Sequence, residues 1–146
     1  MTGGHAQERP DFRAPFEWPV RIYYEDTDLG GVVYYANYLR YLERARSEWL
    51  RSLGVSQSRL LSDNRILFAV TDVSIRYRRP ARFEDLLVVT SELTRLQRAS
   101  MTFGQRIFRE SADGEMLCEA EVRAACLDAD SMQPRAMPKS LFMEST

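Results

Sequence analysis

Three carboxylates, Glu25, Asp26 and Asp28, fall within four positions of the stretch Tyr24-Glu25-Asp26-Thr27-Asp28-Leu29-Gly30-Gly31-Val32-Val33-Tyr34-Tyr35-Ala36-Asn37-Tyr38. Asp and Thr populate turns and the Gly30-Gly31 pair can take positive φ, so a plain structured loop explains much of this composition. What adds chemistry is the segment that follows. Asn37 is a good N-cap and Gly54 a good C′ residue, which predicts a helix over residues 38–53. The start of a helix presents unpaired N–H groups and the positive end of its dipole, able to hold a carboxylate or to polarise a carbonyl oxygen. A carboxylate beside an oxyanion site is a workable minimum for acyl transfer without histidine. That matters because the chain has one histidine, His5, near its start. A Ser-His-Asp or Cys-His triad, a His-ligated metal and a His general base are nearly excluded from the folded part.

The elements that must position this loop are legible from periodicity. Residues 1–15 carry Gly, Pro and mixed charge without apolar spacing and are expected to be a flexible tail, leaving residues 16–146 as one domain. Residues 18–25 alternate, with Trp18, Val20, Ile22 and Tyr24 on one side, and predict a strand. In the helix, Tyr38, Leu39, Tyr41, Leu42, Ala45, Trp49, Leu50 and Leu53 fall in one half of the wheel, a stripe broad enough to be pressed into a sheet. Arg46 breaks that stripe. It either snorkels to water from the stripe's edge or pairs with a carboxylate of a neighbouring segment. A short helix is expected near residues 57–62, followed by strands over residues 67–78, 86–96, 100–109 and 116–126. Leu67, Ala69, Thr71, Val73, Ile75 and Tyr77 are expected on one face of the first of these. In the last, Met116, Cys118, Ala120, Val122, Ala124 and Cys126 point inward, and residues 112–115 make a hairpin turn before it. One strand, one long helix and four strands on short turns give an α+β domain, an antiparallel sheet covered on one face by the helix. Its other face or an edge is expected to pair with another subunit.

Composition narrows the function classes. With 146 residues the chain has room for one core, and 45% hydrophobic with 28% charged residues suits a globular fold. Lys plus Arg number 20 against 21 for Asp plus Glu, so no bulk charge attracts nucleic acid or an anionic membrane. No apolar run exceeds five residues, too short for stable membrane insertion or a signal-peptide core, and a cytoplasmic protein is expected. Cys118 and Cys126 on one strand would stand roughly 26 Å apart, far beyond disulfide reach, and read as small buried hydrophobes.

The order Arg21-Ile22-Tyr23-Tyr24-Glu25-Asp26-Thr27-Asp28, then Gly30-Gly31-Val32-Val33-Tyr34 and Ala36-Asn37-Tyr38, resembles the signature of hotdog-fold acyl-CoA thioesterases of the 4-hydroxybenzoyl-CoA thioesterase type. More narrowly it is similar to the bacterial subfamily encoded with the Tol-Pal envelope system. The similarity continues through Glu43-Arg44-Ala45-Arg46-Ser47-Glu48, Tyr77-Arg78-Arg79-Pro80-Ala81 and Gln105-Arg106-Ile107 to Pro134-Arg135-Ala136-Met137-Pro138-Lys139-Ser140. The resemblance implies a hotdog fold, a five-stranded antiparallel sheet wrapped around one long central helix. It also implies hydrolysis of acyl-CoA to a carboxylic acid and coenzyme A without a cofactor, in a homodimer or homotetramer with sites at the subunit interface. An acyl carrier protein is an alternative donor. Carried over, Asp28 is nucleophile or general base and the Tyr35 backbone N–H is the oxyanion donor. Gly31, Val32, Val33, Tyr34 and Asn37 bind substrate, and Arg98 is either a phosphate contact for coenzyme A or a solvated charge. Arg76, Arg78, Arg79 and Arg82 are a looser phosphate candidate. Many Tol-Pal members carry His where this chain has Tyr35, which leaves a backbone role intact. A hotdog dehydratase typically needs an active-site His that this core lacks. The other class of function is a noncatalytic acyl-CoA or acyl-carrier binding adaptor at the cell envelope.

Overall fold

The computed structural model describes residues 12–142, so His5 and most of the expected tail lie outside the described residues. Five strands, β1 (Phe16–Arg21), β2 (Ile66–Tyr77), β3 (Leu86–Gln97), β4 (Ser100–Arg109) and β5 (Met116–Asp128), form one sheet. Their order is β1-β3-β4-β5-β2, with every neighbouring pair antiparallel. The long helix α1 (Asn37–Ser52) lies in the concave face. A single turn, α2 (Gln57–Arg59), and a wide turn over Leu60–Asn64 lead from it into β2. This is the α+β arrangement of an antiparallel sheet covered by one long helix expected from the alternation of periods, and it has the five strands of the hotdog fold that the resemblance implies.

α1 is buried along its whole length because its stripe covers half the wheel. Tyr38, Tyr41, Leu42 and Ala45 pack with Val20, Ile22, Leu87, Val89 and Ile107 at one end of the core. Trp49, Leu50 and Leu53 pack with Met101, Phe103 and Phe142 at the other. The Trp49 ring meets Phe103 edge-on at 5.2 Å. Burial of each such large side chain contributes about 1.5–3 kcal/mol, which holds the helix and fixes where its start stands. Leu39 is the exception in the stripe, exposed at the helix start. Among the described residues no helix is long and apolar enough to cross a membrane.

Three local expectations are corrected. The first strand stops at Arg21, and Tyr24–Asp26 is a 3-10 turn. Ile22 remains fully buried, while Tyr24 points out and is 78% exposed. In β2 the inward face is not a single alternation. Phe68 pairs with Cys126 and Val70 with Ala124, but beyond a bulge between Val70 and Asp72 it is Val73, Ile75 and Tyr77 that pair with the inward residues Val122, Ala120 and Cys118. One extra residue shifts the parity, so Leu67, Ala69 and Thr71 do not share the face of Val73. Finally, Asn37 is not the N-cap. Ala36 holds that position in αR conformation without a side-chain cap, and Asn37 is already helical. Cys118 and Cys126 are both buried in β5, as expected.

Candidate active site

The polar stretch between β1 and α1 folds back on itself. Thr27 bridges Val33 and Val32 bridges Arg82, so the loop is laced to itself and to the segment ahead of β3. The Asp28 N–H donates to Val32 C=O at 2.9 Å, the Tyr34 N–H to Asp26 C=O at 3.0 Å and the Val33 N–H to Ala81 C=O at 2.8 Å. At the tip, Gly31 N–H closes a turn on Asp28 C=O at 3.1 Å, with Gly31 at φ 80°, a conformation natural to glycine. The Asp28 side chain is fixed from the same turn, its Oδ1 accepting the Gly30 N–H at 2.8 Å. A Cβ on Gly30 would stand 3.3 Å from that oxygen. Asp28 is thus an exposed carboxylate with a defined direction and a free second oxygen among the described residues.

The helix start is wound tightly. The N–H groups of Asn37, Tyr38 and Leu39 donate to the carbonyls of Tyr34, Tyr35 and Ala36 at 2.9, 3.3 and 3.3 Å. These short-range bonds occupy donors that a helix normally leaves open. The Tyr35 and Ala36 N–H groups, just ahead of these, have no acceptor among the described residues. They are donors left available at the positive end of α1, the Tyr35 N–H among them.

Several residues whose anchoring role the sequence did not show hold this arrangement. Asp26 accepts the Tyr23 N–H on its Oδ2 at 2.8 Å, while its carbonyl takes the Asn37 Nδ2 hydrogen at 2.9 Å. Tyr77 donates its hydroxyl to Tyr35 C=O at 3.1 Å, and the Tyr38 hydroxyl accepts the Ala81 N–H at 2.9 Å. Burial pushes the pKa of both phenols up. The signal that could have found them is tyrosine density, since Tyr34, Tyr35, Tyr38, Tyr41 and Tyr77 form consecutive ring contacts around the helix start.

Of the expected site residues, Asp28, Gly31, Val32, Val33, Tyr34, Tyr35 and Asn37 are gathered in this one loop and helix start. Val33 turns its side chain into the core at 4% exposure, so it offers the site only backbone. Asn37 spends its amide on Asp26. Arg98 is not brought to the loop. It follows Gln97 at the far end of β3, whose first residue adjoins the Asp85 segment that hydrogen-bonds Ile22, and the strand between spans roughly 36 Å. In the arginine cluster, Arg78 pairs with Glu119 and Arg79 with Glu115 at 3.3 Å, whereas Arg82 makes no ion pair among the described residues and stands beside Val32. The geometry offers a fixed carboxylate and an open N–H donor, with the Arg82 backbone bridged to the same loop.

Residues 30–115 match the model of the thioesterase superfamily. The chain is 46% identical over 129 residues to the acyl-CoA thioester hydrolase YbgC of Escherichia coli O6:H1, covering 88% of this chain and 94% of that one. It is 44% identical over 126 residues to the acyl-CoA thioesterase YbgC of Haemophilus influenzae, covering 86% and 90%. Among solved structures it is similar to a probable thioesterase from Bartonella henselae, with 35% identity, a TM-score of 0.80, and 86% and 100% of the two chains covered.

Proposed function

The chain belongs to the thioesterase superfamily, and on that premise we propose that it hydrolyses acyl-CoA thioesters in the cytoplasm to a free carboxylic acid and coenzyme A. The observation that carries this reading is the union, in one laced loop, of the oriented Asp28 carboxylate with the unspent Tyr35 N–H. With the thioester carbonyl oxygen on that N–H, the carbonyl carbon is made electrophilic and the developing oxyanion is held by a donor that need not reorganise. Asp28 then either removes a proton from the attacking water or attacks the carbonyl itself, forming an anhydride that water opens. In both routes the C–S bond breaks, and coenzyme A leaves as a thiolate that takes up a proton. In oxygen-labelled water, label found in the Asp28 carboxylate identifies the anhydride route with water opening it at the aspartyl carbon.

The test is release of free thiol from a panel of acyl-CoA and acyl-carrier-protein thioesters. Asp28→Asn is expected to lower kcat roughly 10²- to 10⁴-fold while the protein stays folded. Near wild-type turnover in that variant removes Asp28 from the mechanism, and binding without thiol release across the panel replaces the enzyme by an adaptor.

The active unit in this reading is a homodimer or homotetramer. β2 is an edge strand with Val70 46% and Val73 43% exposed, an invitation to pair with a second copy. Pairing also gives Arg98 a role, since it lies too far from its own Asp28 loop and would reach coenzyme A phosphates only at a partner's site. Val73→Lys at this edge is expected to reduce the mass seen by light scattering to that of a monomer and to abolish turnover. An unchanged mass would move the interface elsewhere.

A further inference from the structure

The two open donors at the start of α1 belong to two successive peptide units. The Tyr35 N–H shares a unit with the Tyr34 carbonyl, and the Ala36 N–H shares one with the Tyr35 carbonyl. Among the described residues no peptide bond is cis, so in each unit the N–H points opposite to the carbonyl. The Tyr34 carbonyl accepts the Asn37 N–H at 2.9 Å, an ordinary strong bond. The Tyr35 carbonyl receives only a long one, from the Tyr38 N–H at 3.3 Å, and there the Tyr77 hydroxyl joins it at 3.1 Å. Both carbonyls are thereby held along the helix, and both N–H groups point away from its body at the positive end.

Tyr77 reaches this peptide from the sheet. Its backbone is the last of β2, paired with Cys118, and its ring stands edge-on to Tyr35 at 6.1 Å and to Tyr38 at 5.3 Å, which aims the hydroxyl. Desolvation pushes the Tyr77 pKa up, so the phenol keeps its proton and stays a donor through neutral pH. The helix cannot slide to spoil the alignment. Arg46, which makes no ion pair among the described residues, donates its Nη1 to Gln105 Oε1 at 3.0 Å and so neither snorkels nor meets a carboxylate. The Gln105 amide is 1% exposed and donates in turn to Leu42 C=O at 3.0 Å and Ser91 Oγ at 2.8 Å, pinning α1 to β3 and β4.

We propose, on the premise of thioester hydrolysis, that the Ala36 N–H is a second oxyanion donor beside that of Tyr35, and that Tyr77 is the residue that positions it through the Tyr35–Ala36 peptide. A hydrogen bond on a carbonyl oxygen draws electron density across the planar unit and makes its N–H the stronger donor. The same bond keeps the unit from turning over, since a flip would break it together with the Tyr38 bond. An oxygen that gains charge as its carbon is attacked has lone pairs for both donors, and it needs the second most when the charge is greatest. The benefit therefore falls on kcat rather than on KM. Tyr77 acts through the peptide and needs no contact with the thioester.

The experiment measures kcat and KM for thiol release beside the backbone amide NMR spectrum of the unliganded full-length protein. Tyr77→Phe removes the hydroxyl alone and is expected to lower kcat about three- to tenfold with KM within about twofold. In that variant the Ala36 amide nitrogen is expected to move upfield, because the bond on the preceding carbonyl is gone, while the Gly54 amide at the far end of α1 stays in place. Exchange of Ala36 for lactic acid puts an ester oxygen where the N–H was and is expected to cost roughly 10²-fold in kcat. Tyr77→Phe in that ester protein is expected to cost nothing further, a non-additivity that loss of packing would not produce. Undiminished kcat in the ester protein, an unmoved Ala36 amide, or an equal Tyr77→Phe loss in both backgrounds would each overturn the second donor and leave a hydrolase whose wild type still releases thiol. Wild-type protein that releases no thiol from any member of the panel overturns hydrolysis and the second donor with it.

Discussion

Asp26 holds more of the candidate site together than Asp28 does. Its carboxylate and carbonyl tie Tyr23, Tyr34 and Asn37 to one point, so the Asp28 turn and the helix start move as a unit. Beneath it lies the Tyr41 hydroxyl, 1% exposed and without a hydrogen-bond partner among the described residues. Burial raises the Tyr41 pKa, and the neighbouring Asp26 charge raises it further. The hydroxyl is near enough to feel that charge yet not placed to bond it well. A buried donor in that condition costs stability, so Tyr41→Phe is expected to raise the unfolding free energy by about 1 kcal/mol. The check is the urea midpoint at unchanged m-value, and a loss of 1 kcal/mol or more would mean that a real Tyr41–Asp26 bond had been cut. Residue identities alone pointed to a carboxylate among Glu25, Asp26 and Asp28 beside a helix start, and the resemblance to the thioesterases narrowed this to Asp28 and the Tyr35 N–H. They did not reveal the anchoring role of Asp26, nor Tyr77 and Gln105, whose partners lie 42 and 63 residues away.

At the level of elements, the helix and all five strands were readable because each buries one face and so writes a period into the sequence. What escaped were boundaries and phase. Asn37 suits an N-cap by type, but its amide is drawn to the Asp26 carbonyl, and the tight winding after Tyr34 satisfies the backbone that a cap would have served. The β2 bulge is equally silent, since Val70-Thr71-Asp72-Val73 fits either parity until β5 is laid beside it. The other end of α1 behaved as its residues suggested. Gly54 sits at φ 83°, and the Gly54 and Val55 N–H groups each bond back to the last turn at 3.0 Å. A Cβ at Gly54 would meet nothing within 4 Å, so the cost of a substitution there is backbone strain alone. Gly54→Ala is therefore expected to destabilise by about 1 kcal/mol without altering turnover, read from thermal or urea unfolding beside the thiol-release assay. A much larger loss would show that this turn also sets the path into α2.

Across the whole molecule the titrating groups divide by location, and that division sets how stability depends on pH. On the surface, Asp128 is held below the usual carboxylate range by the Ser131 and Asp130 N–H groups, Asp130 by Arg65 and Glu119 by Arg78. Their contribution is present above the ordinary carboxylate pKa and fades as acid protonates them, but in such exposed positions it is screened and small. The interior works in the opposite direction. Burial raises Cys118 from 9.0 to about 12, and also raises Cys126 and Tyr38. A folded-state pKa above the unfolded one means that the native protein keeps protons that the unfolded chain releases, so stability is intact below the unfolded values and falls as pH rises past them. For Cys118 alone the fall approaches about 1.4 kcal/mol per pH unit between its unfolded value and pH 12. Urea unfolding from about pH 8 to about pH 11 should trace a declining alkaline limb. Cys118→Ala should lower stability at neutral pH, because it opens a small cavity, and should make that limb shallower. If the slope is the same in the variant, the tyrosines of the helix start and not the β5 thiol govern alkaline unfolding.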